Sequence, residues 1–442
     1  MKTNTKIAIF WHRRDLRLDD NAGLYHALKS GYKVLPIFIF DQNILDKLED
    51  KHDRRVEFIH HALREMQEKL TNLGSKILVK YGKPNNIWQE ILENFDVAEV
   101  YTNHDYEKYG IERDKEIGEI LNSEGIAFYT FKDQTIFEKN EILSGAGTPY
   151  TVFTPYSRKW KDTLNDFYLK SYANEDYFNN FLEYSPLLWR GVGGEVSLSD
   201  LGFQPSNIAF PSKEIQEKTI QNYAEQRDIP SILGTTRLSV HLRFGTVSVR
   251  KLVQKALILN EKWLNELIWR DFYMNILHHF PHIGEGKSFR LVYDNIVWRN
   301  NEDEFRKWCE GKTGYPIVDA GMRELNATGF MHNRVRMITA SFLIKHLLID
   351  WRWGEAYFAQ KLLDFDFSAN NGGWQWASSS GCDAAPYFRI FNPTSQTQKF
   401  DPELKYIKKW IPELNSFDYP KPIVEHTFAR ERVLKVYKEA LK

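Results

Sequence analysis

Over the first 131 residues, short runs of apolar, largely β-branched residues alternate with stretches of helical spacing. The runs at 6–10, 34–40, 76–81, 99–102 and 127–131 predict strands, and the intervening periodicity predicts helices near 20–29, 52–72, 84–94 and 107–123. Strand–helix alternation implies right-handed crossovers, and hence a doubly wound parallel sheet in an α/β N-terminal domain. Such a sheet presents ligand sites at the carboxyl ends of its strands, but no GxGxxG follows the first run. A conventional dinucleotide site is therefore not expected there.

The pattern weakens from 132 to 212, where the glycine-punctuated stretch SPLLWRGVGGEVSLSD (185–200) reads as a surface insertion within an interdomain connector. From 213 onward the spacing is helical: WLNELIWRDFYMNILHHF (263–280) and RVRMITASFLIKHLL (334–348) repeat apolar residues at i, i+3 and i+4. The expected organisation is an α/β domain over 1–131, a connector over 132–212 and an all-α domain over 213–442.

Composition removes several classes of function. No apolar stretch reaches the length needed to cross a bilayer. The first apolar run precedes the basic cluster of WHRRDLR, the reverse of a secretory signal, so a cytoplasmic protein without a membrane partner is expected. Cys309 and Cys382 are the only cysteines, which leaves neither a disulfide framework nor a zinc-ligand spacing. Lys plus Arg and Asp plus Glu both number 59, so bulk charge neither proposes nor excludes nucleic acid; local clustering has to decide. Nine of the 13 tryptophans follow residue 212. Each alone would serve as core, but their concentration in one half brings stacking or redox roles into view.

The densest polar run inside the apolar helical half is DFDFSANNGGWQWASSSGCDAAPYFRIFNP (364–393). Buried acids and amides need partners, and a polar, ring-shaped ligand in an apolar pocket would supply them. Upstream, GTTRLSVHLRFG (234–245) offers hydroxyls, an arginine and backbone donors suited to phosphate, or equally to a helix cap.

Together with WHRRDLRLDDNAGL (11–24), WLNELIWRDFY (263–273), GKTGYPIVDAGMRELNATGFMHNRVRMITASFL (311–343), DWRWGEAYF (350–358) and DFSANNGGWQWA (366–377), these segments resemble the photolyase and cryptochrome family, most closely the class I cyclobutane-dimer photolyases. The resemblance implies light-driven repair of cyclobutane pyrimidine dimers in ultraviolet-damaged DNA, by electron transfer from excited, reduced FAD to a flipped dimer. It implies that Tyr223, Thr235, Thr236, Arg237, Leu238 and Ser239 hold the FAD phosphates. Arg336 and Asp364 would pair beside the isoalloxazine, Asp366 would meet its polar edge and Asn370 would face N5. Glu266 would hydrogen-bond the pyrimidine edge, Trp269 and Trp376 would sandwich the dimer, and Asn333 and Met337 would complete the wall. Arg227, Arg270, Arg334 and Arg389 would touch the substrate strand, with Arg158 and Lys159 assisting, and Trp298, Trp351 and Trp374 would carry electrons to the flavin.

Two departures bear on a second, light-harvesting chromophore. Tyr109 and Gly110 stand where folate-binding relatives place an amide and a glutamate, and Gly284 and Glu285 stand where a cysteine and lysine would be expected. A folate antenna is thus not expected, whereas a deazaflavin, a flavin or none stays open. A cryptochrome-like photoreceptor is the alternative function; the resemblance speaks against it through Asn370, where plant cryptochromes carry aspartate, and through the short stretch after FNP (391–393). A (6-4) photolyase would need two histidines where Asn333 and Met337 stand. The expected state is a monomer.

Overall fold

The computed structural model describes residues 6–185 and 196–442. Most of the 185–200 stretch read as an insertion lies outside the described residues.

Five strands, β1 (Ile7–His12), β2 (Lys33–Asp41), β3 (Leu78–Gly82), β4 (Val97–Asn103) and β5 (Ala127–Phe131), form one sheet in the order β3-β2-β1-β4-β5. Every pairing is parallel, with Ile9 opposite Leu35 on one side and Val100 on the other. β1 is buried along its whole length because helices cover both faces of a doubly wound sheet, which is why it reads as a continuous apolar run and not an alternating one. Helices Ala22–Leu28, Arg54–Asn72, Pro84–Asn94 and Lys108–Ser123 make the crossovers. Local chemistry sets their starts: Asn21 accepts from Leu24 N–H, Asp53 accepts from Arg55 N–H, and Pro84 needs no donor in the first turn.

The chain divides into two compact units, one of residues 1–138, 164–213 and 238–255, the other of 139–163, 214–237 and 256–442. The connector expected over 132–212 is shared between them, and residues 238–255, expected with the helical half, pack with the sheet. Buried charge accounts for that placement. Arg250 donates to Asp20 at 2.9 Å and to Asp133 at 2.8 Å, and Arg17 donates to Asp133 at 2.7 Å. Opening such a network would strand charges away from water. Gly245, at φ +64°, lies so near the Arg14 carbonyl that a Cβ would come within 2.2 Å of it.

The second unit is helical. Helices Pro316–Thr328, Asn333–Ser341, Trp351–Lys361 and Phe367–Ser378 contribute to a core containing Trp308, Val318, Leu343, Phe358 and Trp374. The helix expected over 334–348 instead stops at Ser341 and continues as a π-helical turn, Phe342–His346. No described helix is long and apolar enough to cross a membrane.

Candidate active site

The loop before residue 238 is held by close backbone approach and local strain. A Cβ on Gly234 would come within 2.7 Å of the Gln226 carbonyl, so the chain there admits only glycine without a shift. Arg237 adopts φ +53°, a conformation that residues with a Cβ occupy only when surroundings enforce it. Its guanidinium lies 4.4 Å from the centre of the Phe330 ring, and Arg336 approaches the same ring at 5.9 Å. The phosphate-type loop and the Arg336–Asp364 pair, 3.0 Å between charged atoms, therefore meet around one aromatic. Arg336 also donates to the Met331 carbonyl at 2.7 Å, which fixes its direction. Thr235 and Thr236 are half-buried in the same loop; Tyr223, half-buried at the start of the short helix Tyr223–Gln226, has its hydroxyl pKa pushed upward by burial, and Arg227 covers its ring at 5.2 Å. Leu238 and Ser239 belong to the first unit, where Ser239 opens the helix Ser239–Phe244.

His332 lies among these cations. Burial, opposed by Asp228 and reinforced by Arg336, Arg334 and Arg237, lowers its pKa to about 4. Nδ1 accepts from the Arg334 backbone N–H, so the proton of the neutral ring is assigned to Nε2, a buried donor without a partner among the described residues. On the helix that follows, Arg334 pairs with Asp228 at 2.9 Å, lies over Phe400 and donates to the Met337 sulfur at 3.7 Å. Asn333 is exposed one turn before Met337.

The helix Glu261–His279 starts where Asn260 accepts from Lys262 and Trp263 N–H groups. It carries Glu266, half-buried and hydrogen-bonded by Arg227. Burial pushes the Glu266 carboxyl upward, against the pull of Arg227. One turn on, Trp269 stacks on Phe153 with ring centres 3.7 Å apart and planes 3° from parallel. Tyr273 follows, and a Cβ on Gly372 would come within 2.3 Å of its ring. Gly372 thus lets the helix Phe367–Ser378 approach this face. That helix is capped by Asp366, which accepts from Ser368 and Ala369 N–H groups, and it carries Asn370, Trp374 and Trp376. The Asn370 amide donates to Glu355 at 2.9 Å, and burial raises the Glu355 pKa despite that bond. Trp376 approaches Phe391 at 6.5 Å.

Trp374 and Trp351 are buried in the helical core, each 2% exposed, while Trp298 packs at its margin against Tyr437. Arg389, Arg158 and Lys159 are exposed and Arg270 is half-buried. In the first unit, Tyr109 donates to Asp41 at 2.7 Å, and a Cβ on Gly110 would come within 2.5 Å of the Asp105 carboxyl carbon. Sequence reasoning missed Phe153, Asp228, Glu355 and Asp383. Each acts through a partner distant in sequence, and only FTPY following TPYTV hinted at a local helix start near Phe153.

The model of the family described as DNA photolyase matches residues 8–173, and that described as the FAD binding domain of DNA photolyase matches 263–418. A curated deoxyribodipyrimidine photo-lyase of Synechococcus is 36% identical over 475 residues, spanning 98% of this chain and 96% of that protein. Among solved structures, a class III photolyase from Agrobacterium tumefaciens superposes with a TM-score of 0.86 at 31% identity, covering 100% of this chain and 98% of the other. An archaeal photolyase from Sulfolobus tokodaii, described with two FAD molecules, gives 0.80 at 33% identity over 98% and 99%.

Proposed function

This chain belongs to the DNA photolyase family, and from that premise we propose that its helical unit is the catalytic site for light-driven splitting of cyclobutane pyrimidine dimers in DNA. It is an FAD-dependent deoxyribodipyrimidine photo-lyase, and the cryptochrome alternative is not favoured. The observation that carries the site assignment is a half-buried Glu266, bonded by Arg227 and pushed toward its protonated form, one turn from the flat Trp269 platform.

The residues fit the cofactor. A dinucleotide with two phosphates and an electron-rich ring needs cations, hydroxyls and donors; Arg237 and Arg336 meet at Phe330, Thr235 and Thr236 lie in the same loop as Arg237, and the His332 N–H has no partner among the described residues. In this reading Tyr223 and the Thr235–Arg237 loop hold the phosphates, the Arg336–Asp364 pair and Asp366 lie by the ring, and Asn370, oriented by Glu355, turns its amide to the ring edge. The chemistry reduced FAD supplies when bound is a photoexcited electron, lent to the dimer and recovered after the ring opens.

The protein's own work is to receive, orient and polarise the lesion. Trp269, with Trp376, offers aromatic surface; a stacked base gains about 1–3 kcal/mol, which offsets the few kcal/mol that base-flipping enzymes, photolyases among them, meet on unstacking. Glu266 in its protonated form donates to a pyrimidine carbonyl and so favours charge arriving there. Asn333 and Met337 shape the wall, and Arg227, Arg270, Arg334 and Arg389 meet phosphates. Such contacts position the strand without reading its sequence. The protein acts as a monomer in the cytoplasm on this reading, which sedimentation of the purified chain tests for the first part.

The test is substrate selectivity with a spectrum: the isolated protein carries flavin absorption and under near-ultraviolet or blue light restores cyclobutane dimers but leaves (6-4) products. Repair of (6-4) products instead would overturn the roles given to Asn333 and Met337.

A further inference from the structure

Trp269 owes its orientation to a second helix. Along Phe153–Thr163 and Glu261–His279, three contacts recur at four-residue steps in opposite directions: Phe153 with Trp269, Ser157 with Asn265 at 3.5 Å, and Lys161 with Glu261 at 2.7 Å. A buried row lies beside them. Tyr156 packs on Phe272 with ring centres 5.1 Å apart, and the Trp160 indole donates to Asp271 at 3.0 Å. The two helices are thus zipped antiparallel, with Phe153 and Trp269 as the terminal rung.

That rung has unusual geometry. Aromatic pairs left to themselves prefer offset or edge-to-face arrangements with wider spacing, whereas these rings lie nearly parallel at 3.7 Å. The backbone holds them there. The Phe153 N–H donates to Asp383 Oδ2 at 3.2 Å, so a carboxylate from a remote segment caps the start of the helix, where negative charge is favoured. Asp383 itself is at φ +48°, a left-handed conformation retained by a residue with a Cβ when its surroundings require it.

We propose that Phe153, held by Asp383, is a positioning residue that fixes the plane of Trp269 and thereby sets the preference for a dimer over undamaged DNA. The inference rests on the reading that Trp269 stacks on the lesion. Phe153 holds the indole flat, and Tyr273, with ring centres 5.4 Å apart and planes 29° from parallel, flanks it as well, so the plane a base would meet is set by fixed neighbours. A rigid platform favours a base already outside the helix and gives nothing to a strand whose bases remain stacked. Asp383 also precedes Arg389 by a short segment, so the residue that orients the platform lies on the stretch assigned to a phosphate contact.

The test is dark equilibrium binding of the flavin-loaded protein to matched oligonucleotides with and without one cyclobutane dimer. Phe153→Ala and Phe153→Leu are expected to lower the dimer-to-undamaged affinity ratio about threefold to tenfold, the size of one aromatic pair, with flavin content unchanged. Phe153→Tyr restores the ratio. Asp383→Ala behaves like Phe153→Ala, and Asp383→Asn, which keeps both an acceptor and tolerance of positive φ, remains near wild type. In a Trp269→Ala background, Phe153→Leu causes no further loss. Wild-type selectivity in Phe153→Leu, with selectivity lost in Trp269→Ala, overturns this proposal and leaves the stacking reading standing. Undiminished selectivity in Trp269→Ala overturns the stacking reading itself.

Discussion

The Arg227 guanidinium donates to the carboxylate of Glu266, so two residues given separate roles, phosphate contact and lesion contact, are partners of one another. Burial drives Glu266 toward its protonated form and Arg227 draws it back. A carboxyl group with an elevated pKa is a donor below that value and loses its proton as pH rises through it. Dimer repair per absorbed photon should therefore fall on the alkaline side of the Glu266 titration. Arg227→Ala moves that limb to higher pH, since an adjacent guanidinium typically lowers a carboxylate by about 1–3 pH units. Glu266→Ala removes the limb and lowers the yield while flavin content and affinity for damaged DNA stay nearly intact. A limb at the same pH in Arg227→Ala would separate the two residues functionally.

Salt titrations probe the phosphate contacts. Replacing Arg334 or Arg389 by Ala should reduce the slope of log affinity against log salt by about one for each residue. Arg334 is paired with Asp228, so if it contacts a phosphate, Asp228→Asn should strengthen binding at low salt. Unchanged slopes would make both arginines ordinary surface charges.

Acid should weaken the fold through His332. From the ordinary value of 6.5, burial among cations lowers it to about 4, so between these values the unfolded chain takes up a proton that the folded ring refuses. Stability is lost as pH falls through that window, by up to roughly 3 kcal/mol. His332→Asn keeps a side chain able to cap the helix Asn333–Ser341. Thermal midpoints at pH 7 and pH 4.5 should differ less in His332→Asn than in the wild type; equal differences would show that the ring accepts its proton without cost.

Photoreduction and repair should separate at Trp374. Indole is oxidised readily and phenyl is not, so Trp374→Phe, still carrying FAD, should fail to photoreduce oxidised flavin with an external reductant, while chemically pre-reduced protein still repairs dimers. A Cβ on Gly354 would come within 2.1 Å of the Trp374 ring. Gly354→Ala must therefore displace the indole, lowering stability by about 1–3 kcal/mol and slowing photoreduction. Normal photoreduction in the Phe variants of Trp374, Trp351 and Trp298 would reduce all three to packing residues.

The sheet was legible from sequence because its central strands β1 and β2 are buried apolar runs and the helical periodicity between runs marks the crossovers; β5 coincides with its predicted range, and β1 runs only two residues past it. The end of the helix at Ser341 was not, since the apolar spacing of RVRMITASFLIKHLL continues unbroken through the π turn. Nor was the placement of 238–255, which depends on Arg250 meeting Asp20 and Asp133 from distant segments. At the site, motif resemblance named Glu266, Trp269, Arg336 and Asn370, but their orienting partners Arg227, Phe153, Asp364 and Glu355 come from other elements. The Arg336–Asp364 pair was expected; the Phe153 stack and the Glu355 bond left no local periodic signal.

The most direct measurement of the central claim is dimer repair by chemically pre-reduced, flavin-loaded protein, scored in matched illuminated and dark samples of DNA carrying cyclobutane pyrimidine dimers. The account predicts restoration of intact pyrimidines in proportion to absorbed near-ultraviolet or blue light, and none in the dark. Equal repair in both samples, or none under light with the flavin reduced and the lesion bound, would contradict it.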